Sequence, residues 1–155
     1  MLRAVLVIIS IVMFVYCFRV ARSVDVEDNR HKRPDARLDG VTGRDFEVMC
    51  MKLLAKHGYS DVTTVSLGCT SGIYVIAWKG GEKWMFRCWA MGLMGDTELV
   101  VETFRVAGRH RCSRCGIIST GNFDRRAIHA ADCRCVKLVN RDGLIDMLNR
   151  AGMAA

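Results

Sequence analysis

The chain has 155 residues, of which 51% are apolar, and it contains one proline and 14 glycines. These numbers exclude a collagen-like or low-complexity chain and allow one domain of ordinary size with an appendage. The formal net charge of +7 favours anionic partners such as nucleic acid or acidic lipid headgroups.

An uncharged apolar run occupies residues 4–18, between Arg3 and Arg19. As an α-helix it would be about 22 Å long, and both flanking arginines can extend their charges towards lipid headgroups. The run therefore predicts a single-pass transmembrane anchor over residues 1–21. A cleaved signal peptide and a buried hydrophobic helix are the alternative interpretations.

The stretch that follows, residues 22–40, contains few large apolar side chains and includes Pro34. Its composition predicts a flexible tether between the membrane and a globular domain over residues 41–150. Before the apolar run the only basic side chain is Arg3, whereas the tether carries several. This asymmetry predicts that the domain lies in the cytoplasm.

Within the domain, apolar residues three and four positions apart predict a first helix over residues 44–56. The same spacing returns over residues 97–109, where Asp96 or Thr97 can cap the helix. The residues of this second helix expected to face the core are Leu99, Val100, Phe104 and Ala107. A third helix capped by Asp124 runs to about residue 131, and a closing helix follows Asp142, its expected cap.

Runs of β-branched and aromatic residues predict five strands. They cover residues 61–67, 72–78, 83–90, 116–120 and 135–139. Hairpins join the first three strands and helices join the later ones. We therefore predict an α/β fold in which a mixed central sheet is flanked by helices.

Several short motifs occur in a definite order along this domain. They are Gly43, Phe46 and Glu47 at the first helix, GIYVIA at residues 72–77, Cys88, GIIST at residues 116–120, and Gly143, Leu144, Ile145 and Leu148 at the end. In this order they resemble the catalytic domain of Mrr-type (type IV) restriction endonucleases, within the PD-(D/E)xK superfamily. The resemblance covers about residues 40–149 and implies a restriction-endonuclease-like fold.

In that family the second strand typically reads G-x-D-V-x-A and the third reads Q-C-K. The resemblance implies that the aspartate and a neighbouring oxygen ligand hold Mg²⁺, while the lysine stabilises charge that develops on the phosphate. Here Tyr74 stands at the aspartate position, Arg87 at the glutamine position and Trp89 at the lysine position. Glu47 is retained, but one carboxylate cannot assemble the site. We therefore expect no Mg²⁺ and no catalysis.

Two interpretations of the altered positions remain open. In the first, the aromatic rings and Arg87 fill a cleft that has lost its chemistry, with Arg87 paired to Glu47. In the second, the same groups bind a phosphate backbone or an unpaired base. An active nuclease would need a relocated carboxylate, for which Asp61 and Glu82 are the candidates.

Four late cysteines form two closely spaced pairs, Cys112 with Cys115 and Cys133 with Cys135. We expect each pair to precede one strand of a β-α-β unit, so that neighbouring parallel strands bring the pairs to the same edge. Three interpretations of these pairs remain open, which are unmetallated thiols, a structural zinc site and a disulfide. The family resemblance does not imply such a site.

Arginines around these cysteines predict a surface that attracts nucleic acid or an anionic membrane. The candidate nucleic-acid-binding residues are Arg87, Arg109, Arg111, Arg114, Arg125 and Arg126, with Arg105 and Arg134 nearby. Scattered solvated charges are the alternative interpretation.

Together these features favour a membrane-anchored restriction-endonuclease-like domain that lacks catalysis and binds DNA or another anionic partner. Two other functions remain open. One is an active Mg²⁺-dependent DNA endonuclease with relocated site residues, and the other is an assembly protein that uses the fold for contacts with other proteins.

Overall fold

The structure is a computed structural model that describes Leu38, Gly40, Val41, residues 43–65 and residues 73–153. The predicted anchor, nearly all of the tether and the end of the first predicted strand lie outside the described residues. Those described belong to one compact unit, Lys32–Ala155. In this described part of the chain, no helix is both long and apolar enough to cross a membrane.

The predicted order of helices and strands is confirmed. The elements are α1 (Gly43–Lys56), β1 (Ser60–Val65), β2 (Ile73–Lys79), β3 (Glu82–Trp89), α2 (Thr97–Arg109), β4 (Arg114–Ser119), α3 (Arg125–Arg134), β5 (Val136–Val139) and α4 (Arg141–Arg150).

The five strands form one sheet in the order β1-β2-β3-β4-β5. The first three are antiparallel, and the β2–β3 hairpin turns through Gly80 and Gly81, both at positive φ, which glycine adopts without steric penalty. The last three are parallel because α2 and α3 carry the chain back between them. The prediction of a mixed sheet is confirmed.

Two hydrophobic clusters separate the two faces of the sheet. On one face, Phe46 and Leu53 of α1 and Leu144 of α4 pack against strand residues such as Phe86. On the other face, α2 and α3 pack against Tyr74 and its neighbours on the sheet. Because strand side chains alternate between faces, Tyr74 and Phe86 belong to different layers of this three-layer arrangement.

Two local predictions are corrected. The closing helix begins with Asn140 as its cap, whose side chain accepts a hydrogen bond from the Gly143 backbone N–H, whereas Asp142 lies in the first turn. Phe104 is 47% exposed, because the buried stripe of α2 runs through Leu99 and Thr103 instead. Capping of α2 by Asp96 and of α3 by Asp124 is confirmed.

Candidate functional site

Tyr74, Arg87 and Trp89 lie together on the sheet face that α2 covers. Tyr74 pairs with Arg87 across β2 and β3, and Trp89 lies two residues further along β3, so all three side chains point the same way. The guanidinium carbon of Arg87 lies 5.3 Å from the Tyr74 ring centroid and 5.2 Å from that of Trp89. The cation therefore lies between two π faces that attract it.

The carboxylate that neutralises Arg87 comes from α2. Arg87 Nη1 donates to Glu102 Oε2 over 2.6 Å, and the side chains are 3% and 31% exposed respectively. The suggested pairing of Arg87 with Glu47 is wrong. We call Tyr74, Arg87, Trp89 and Glu102 the Arg87 cluster.

Glu102 was missed by reasoning from the sequence, although a signal for it exists. It precedes the buried Thr103 and is three residues after the buried Leu99, so it borders the apolar stripe of α2. An acidic residue at such a border can reach a buried cation of the sheet. Helical spacing alone does not say which strand residue it meets.

The polar atoms of the two rings contribute little to hydrogen bonding. Among the described residues, the Tyr74 hydroxyl and the Trp89 indole nitrogen are buried without a hydrogen-bond partner of good geometry. Burial raises the pKa of Tyr74, and the nearby Arg87 guanidinium only partly opposes this effect. The phenol is therefore neutral at physiological pH and cannot replace the anionic oxygen of a carboxylate.

Glu47 lies apart from this cluster. It is half-buried on α1, whose neighbouring Phe46 and Cys50 pack with Val75 and Cys88 on the opposite face of the sheet. The structure thus brings together Tyr74, Arg87 and Trp89, three of the four predicted positions, and places Glu47 on the helix layer across the sheet.

The relocated carboxylates do not enter the cluster either. Glu82 begins β3 five residues before Arg87, about 17 Å away along an extended strand, and its Oε1 accepts from Arg114 Nε over 3.2 Å. Asp61 is exposed on the edge strand β1. Neither residue is positioned to replace the missing aspartate at Tyr74.

The donor set of the Arg87 cluster does not fit Mg²⁺, the metal that the family resemblance implies. Mg²⁺ requires oxygen ligands in near-octahedral geometry, whereas this cluster presents two aromatic rings, a guanidinium and one carboxylate already paired with it. Across the described ranges, no group of three or more His, Cys, Asp or Glu side chains is arranged to hold a metal ion. We derive no metal-dependent step at this site.

The late cysteines occupy different surroundings from those expected. Cys115 lies inside β4 rather than before it, Cys133 lies within α3, and Cys135 caps that helix. Cys112, Cys115 and Cys135 line one cleft of about 360 Å³, together with Phe104. Cys133 is exposed instead, with its Sγ 3.8 Å from His129 Nδ1. All four are free thiols in the structure.

The predicted arginine cluster is divided between two ends of the α2/α3 layer. Arg125 and Arg126 begin α3, whereas Arg134 ends it, about 14 Å away along the helix axis. The second group lies where α2 and α3 end and β4 and β5 begin, and its exposed members are Arg105, Arg109, Arg111, Arg114 and Arg134. We call this group the basic end. Arg87 is not exposed, since it is 2% accessible.

A family model and one solved structure agree with the fold. A family model described as a restriction endonuclease, Mrr_cat, matches residues 38–148. Among solved structures, a protein of unknown function, AF1548, matches with a TM-score of 0.56 and 21% identity, over 68% of this chain and 65% of that chain. The DNA modification-dependent restriction endonuclease AspBHI matches with a TM-score of 0.49 and 11% identity, over 82% of this chain and 40% of that chain.

This chain therefore spans less than two thirds of the length of either solved structure. A search of curated proteins finds no match.

Proposed function

The chain belongs to the Mrr restriction endonuclease family, as its motifs predict, and from that premise we propose that it is a catalytically silent, membrane-tethered member that binds DNA through its basic end. The single observation that carries the loss of catalysis is the buried Arg87–Glu102 ion pair between two aromatic rings. By the family resemblance, this pair stands where a metal ion and its carboxylates would lie.

Electrostatics explains why this replacement is incompatible with the family's chemistry. A divalent cation 4 Å from a guanidinium would be repelled by about 8 kcal/mol at an effective dielectric constant near 20. Glu102 cannot offset this repulsion as a metal ligand without giving up its ion pair with the buried Arg87. The two charges thus neutralise each other inside the protein, and they are unsuitable for metal-dependent phosphodiester hydrolysis.

DNA binding is assigned to the basic end because its cations are exposed and close in sequence. Arg105 and Arg109 are one helical turn apart on α2, and Arg111 and Arg114 follow within five residues. Of these, Arg114 is paired with Glu82 through an exposed bridge, which contributes little to stability and yields readily to a phosphate. In this proposal Arg87 acts in packing, since Glu102 and the covering helix separate it from a backbone phosphate.

The membrane tether rests on the apolar run at residues 4–18, which lies outside the described residues. Its uncharged length and flanking arginines support insertion, and the basic residues after it support a cytoplasmic domain. Fractionation checks this part of the proposal. The full chain should resist extraction from membranes by alkaline carbonate, and replacement of Ile8 and Val12 by lysine should release it to the soluble fraction.

Catalysis is tested by incubating the full chain with supercoiled plasmid and Mg²⁺ or Mn²⁺. We expect no metal-dependent conversion to nicked or linear DNA. Cleavage that Glu47→Ala abolishes would contradict the proposal and favour an active nuclease. Glu98→Ala, which changes an exposed carboxylate on α2, is the matched control for a change of charge alone.

Binding is tested on the same protein with labelled duplex DNA over a range of salt concentrations. The double charge reversal Arg109→Glu/Arg111→Glu should weaken binding to all sequences and reduce the salt slope by about 2, because each phosphate contact contributes about 0.9 to it. The matched control is Arg125→Glu/Arg126→Glu, which makes the same change at the other end of α3. Equal binding by wild type and the Arg109/Arg111 variant would favour the alternative function in protein contacts.

A further inference from the structure

An open cleft lies within the basic end, where α2 and α3 end and β4 begins. We call it the thiol cleft, because Cys112, Cys115 and Cys135 line it. Its volume is about 360 Å³. Pockets that hold a small organic molecule have volumes of about 300–1,000 Å³, so this cleft is large enough for one compact ring system.

Helix α2 contributes an apolar wall to the thiol cleft. Phe104, Ala107 and Gly108 are three and four residues apart, so they lie on one stripe of the helix. The Phe104 ring is 47% exposed, and a Cβ added at Gly108 would meet no atom within 4 Å. An aromatic ring beside open space is a surface on which a flat ligand can stack.

Two of the thiols add uncharged surface to the same cleft. Burial raises the pKa of Cys112, although the nearby Lys83 opposes this effect. Burial also raises the pKa of Cys115 to about 11, with smaller contributions from Cys112 and Cys135. Cys112 and Cys115 are therefore protonated at physiological pH, and a protonated thiol packs as a small apolar group. They do not repel an anionic ligand.

Two arginines supply positive charge at the thiol cleft. Arg114 is oriented by Glu82 Oε1, 3.2 Å from its Nε, and by the Trp84 ring, whose centroid lies 6.0 Å from its guanidinium carbon. Arg134 Nη1 donates to the Ala130 carbonyl oxygen over 3.2 Å. Each guanidinium has five N–H donors, so these contacts leave donors for a phosphate. Among the described residues that line the cleft, none is acidic.

An aromatic ring beside exposed cations is the combination with which proteins bind unpaired nucleotides, because the base stacks and the phosphates pair with the cations. We propose that the thiol cleft takes one unpaired base of a DNA strand, which stacks on Phe104 while Arg114 and Arg134 bind the adjoining phosphates. This inference rests on the proposed DNA binding by the basic end, and it names the form of DNA that this surface selects.

The inference predicts a preference that the charge of the basic end alone does not produce. A base within an intact duplex is stacked and paired, so it can enter the thiol cleft only after extrusion, at a cost in free energy. An unpaired base avoids most of this cost. The protein should therefore bind DNA that contains an unpaired base more tightly than fully paired DNA of almost the same charge.

The test measures binding of the full chain, in a non-ionic detergent and at one salt concentration, to three labelled duplexes by fluorescence polarisation. One duplex is fully paired, one carries a single bulged adenine, and one carries an abasic bulge at the same place. The adenine bulge should bind about tenfold more tightly than the abasic bulge, because only the first offers a base to stack. Equal binding of the two bulges would overturn the inference and leave the proposed DNA binding intact. Binding to none of the three would overturn both.

Two variants locate the base in the thiol cleft. Phe104→Ser removes the stacking ring, and Gly108→Leu places a side chain in the open space beside it. Each should abolish the preference for the adenine bulge over the abasic bulge. Because leucine favours a helix more than glycine does, loss of the preference in Gly108→Leu is not explained by unfolding. Val48→Ser, which removes an exposed apolar side chain from α1, is the matched control and should keep the preference. A preference that survives both cleft variants would overturn the site.

The thiols provide a second measurement on the unaltered protein. Cys112 and Cys135 line the cleft and are not fully buried, whereas Cys133 is exposed on α3 outside the cleft lining. Saturation with the adenine-bulge duplex should slow alkylation of Cys112 and Cys135 by iodoacetamide severalfold more than saturation with the abasic-bulge duplex, as followed by peptide mass spectrometry. Cys133 should be alkylated at the same rate with either duplex. Equal rates at Cys112 and Cys135 with the two duplexes would overturn the placement of the base.

Discussion

The Arg87 cluster and the thiol cleft, which is lined by Cys112, Cys115 and Cys135, lie on the same face of one sheet. They differ in what surrounds their side chains. In the first, a buried cation has a carboxylate at 2.6 Å and an aromatic ring on either side, so its charge is neutralised within the cluster. In the second, three thiols and two arginines border an open volume of about 360 Å³. The side chains of the first group fill their own space, whereas those of the second border an open cleft.

This difference teaches that residue type alone does not identify a working site. The family resemblance implies that Arg87 stands at a catalytic position, but Arg87 is buried and paired with Glu102 of α2. The cysteines lie where the family resemblance implies nothing, but the crossover from α3 to β5 leaves them facing solvent-accessible space. The two regions differ in whether their side chains have partners within the protein and in whether open space lies beside them. Position within a motif does not show this difference.

The largest expected effect comes from removing the carboxylate of the Arg87 cluster. Glu102→Ala should lower the free energy of unfolding by about 3–5 kcal/mol, because it breaks the ion pair of a buried guanidinium. Chemical denaturation of the full chain measures this change. Glu98→Ala, one turn earlier on α2 and exposed, should change stability by less than about 0.5 kcal/mol.

The double variant Arg87→Met/Glu102→Leu sharpens this result. Replacement of both charges by apolar side chains of similar volume removes the need for pairing, so it should be clearly more stable than Glu102→Ala. If the single Glu102→Ala variant retained wild-type stability, the Arg87–Glu102 ion pair would contribute nothing measurable to folding. The contrast between a complete cluster and an open cleft would then fail.

Much of this arrangement follows from the sequence, because it depends on local signals. Apolar periodicity and the caps at Asp96 and Asp124 placed α2 and α3 correctly, and the Gly80–Gly81 turn placed the hairpin. Strand alternation also places Tyr74 and Arg87 on one face of the sheet, where the structure has them.

Tertiary partners could not be predicted in the same way. Glu102 and Glu47 both lie on helices that cover the sheet, but only knowledge of which face each helix covers shows that Glu102 meets Arg87. Likewise, the spacing of the cysteines does not reveal that Cys133 points outward from α3 while Cys135 ends it. Apolar periodicity shows which face of a helix is buried, but it does not show which residues that face packs against.

A second prediction concerns Gly116, which lies between Cys115 of the thiol cleft and Ile117 beside Arg87. A Cβ at this position would lie 2.9 Å from the Lys137 carbonyl oxygen and 3.0 Å from the Phe86 ring. Gly116→Ala should therefore lower the free energy of unfolding by about 1–3 kcal/mol, as expected for overpacking. Gly108→Ala on α2 is the matched control, because no atom lies within 4 Å of its Cβ and helix propensity should raise stability by about 0.5–1 kcal/mol. If both changes altered the free energy of unfolding equally, the Lys137 backbone and the Phe86 ring would have to move to make room for the Cβ at residue 116.

A third prediction tests whether the Tyr74 hydroxyl stabilises the Arg87 cluster. Tyr74→Phe should change the free energy of unfolding at pH 7 by less than about 1 kcal/mol, because the deleted hydroxyl lacks a well-formed hydrogen bond. Burial raises the folded-state pKa of Tyr74, so its contribution is fully present below about pH 10 and is lost as the pH rises through the raised value. Wild type should thus lose more stability than Tyr74→Phe above pH 10. A large loss at pH 7 would indicate that the hydroxyl holds a partner.

The smallest expected effect is at Phe104, the large apolar residue that borders the thiol cleft. Phe104→Ser should change the free energy of unfolding by about 0.5 kcal/mol or less, because the ring is 47% exposed, whereas Leu99→Ala on the buried stripe of the same helix should cost about 2–5 kcal/mol. The position is nevertheless informative, because the Phe104 ring lines the thiol cleft, the open region of this face. A loss from Phe104→Ser comparable to that from Leu99→Ala would mean that the ring is packed in solution. The thiol cleft would then be closed, and the distinction between a filled and an open region on this face would no longer hold.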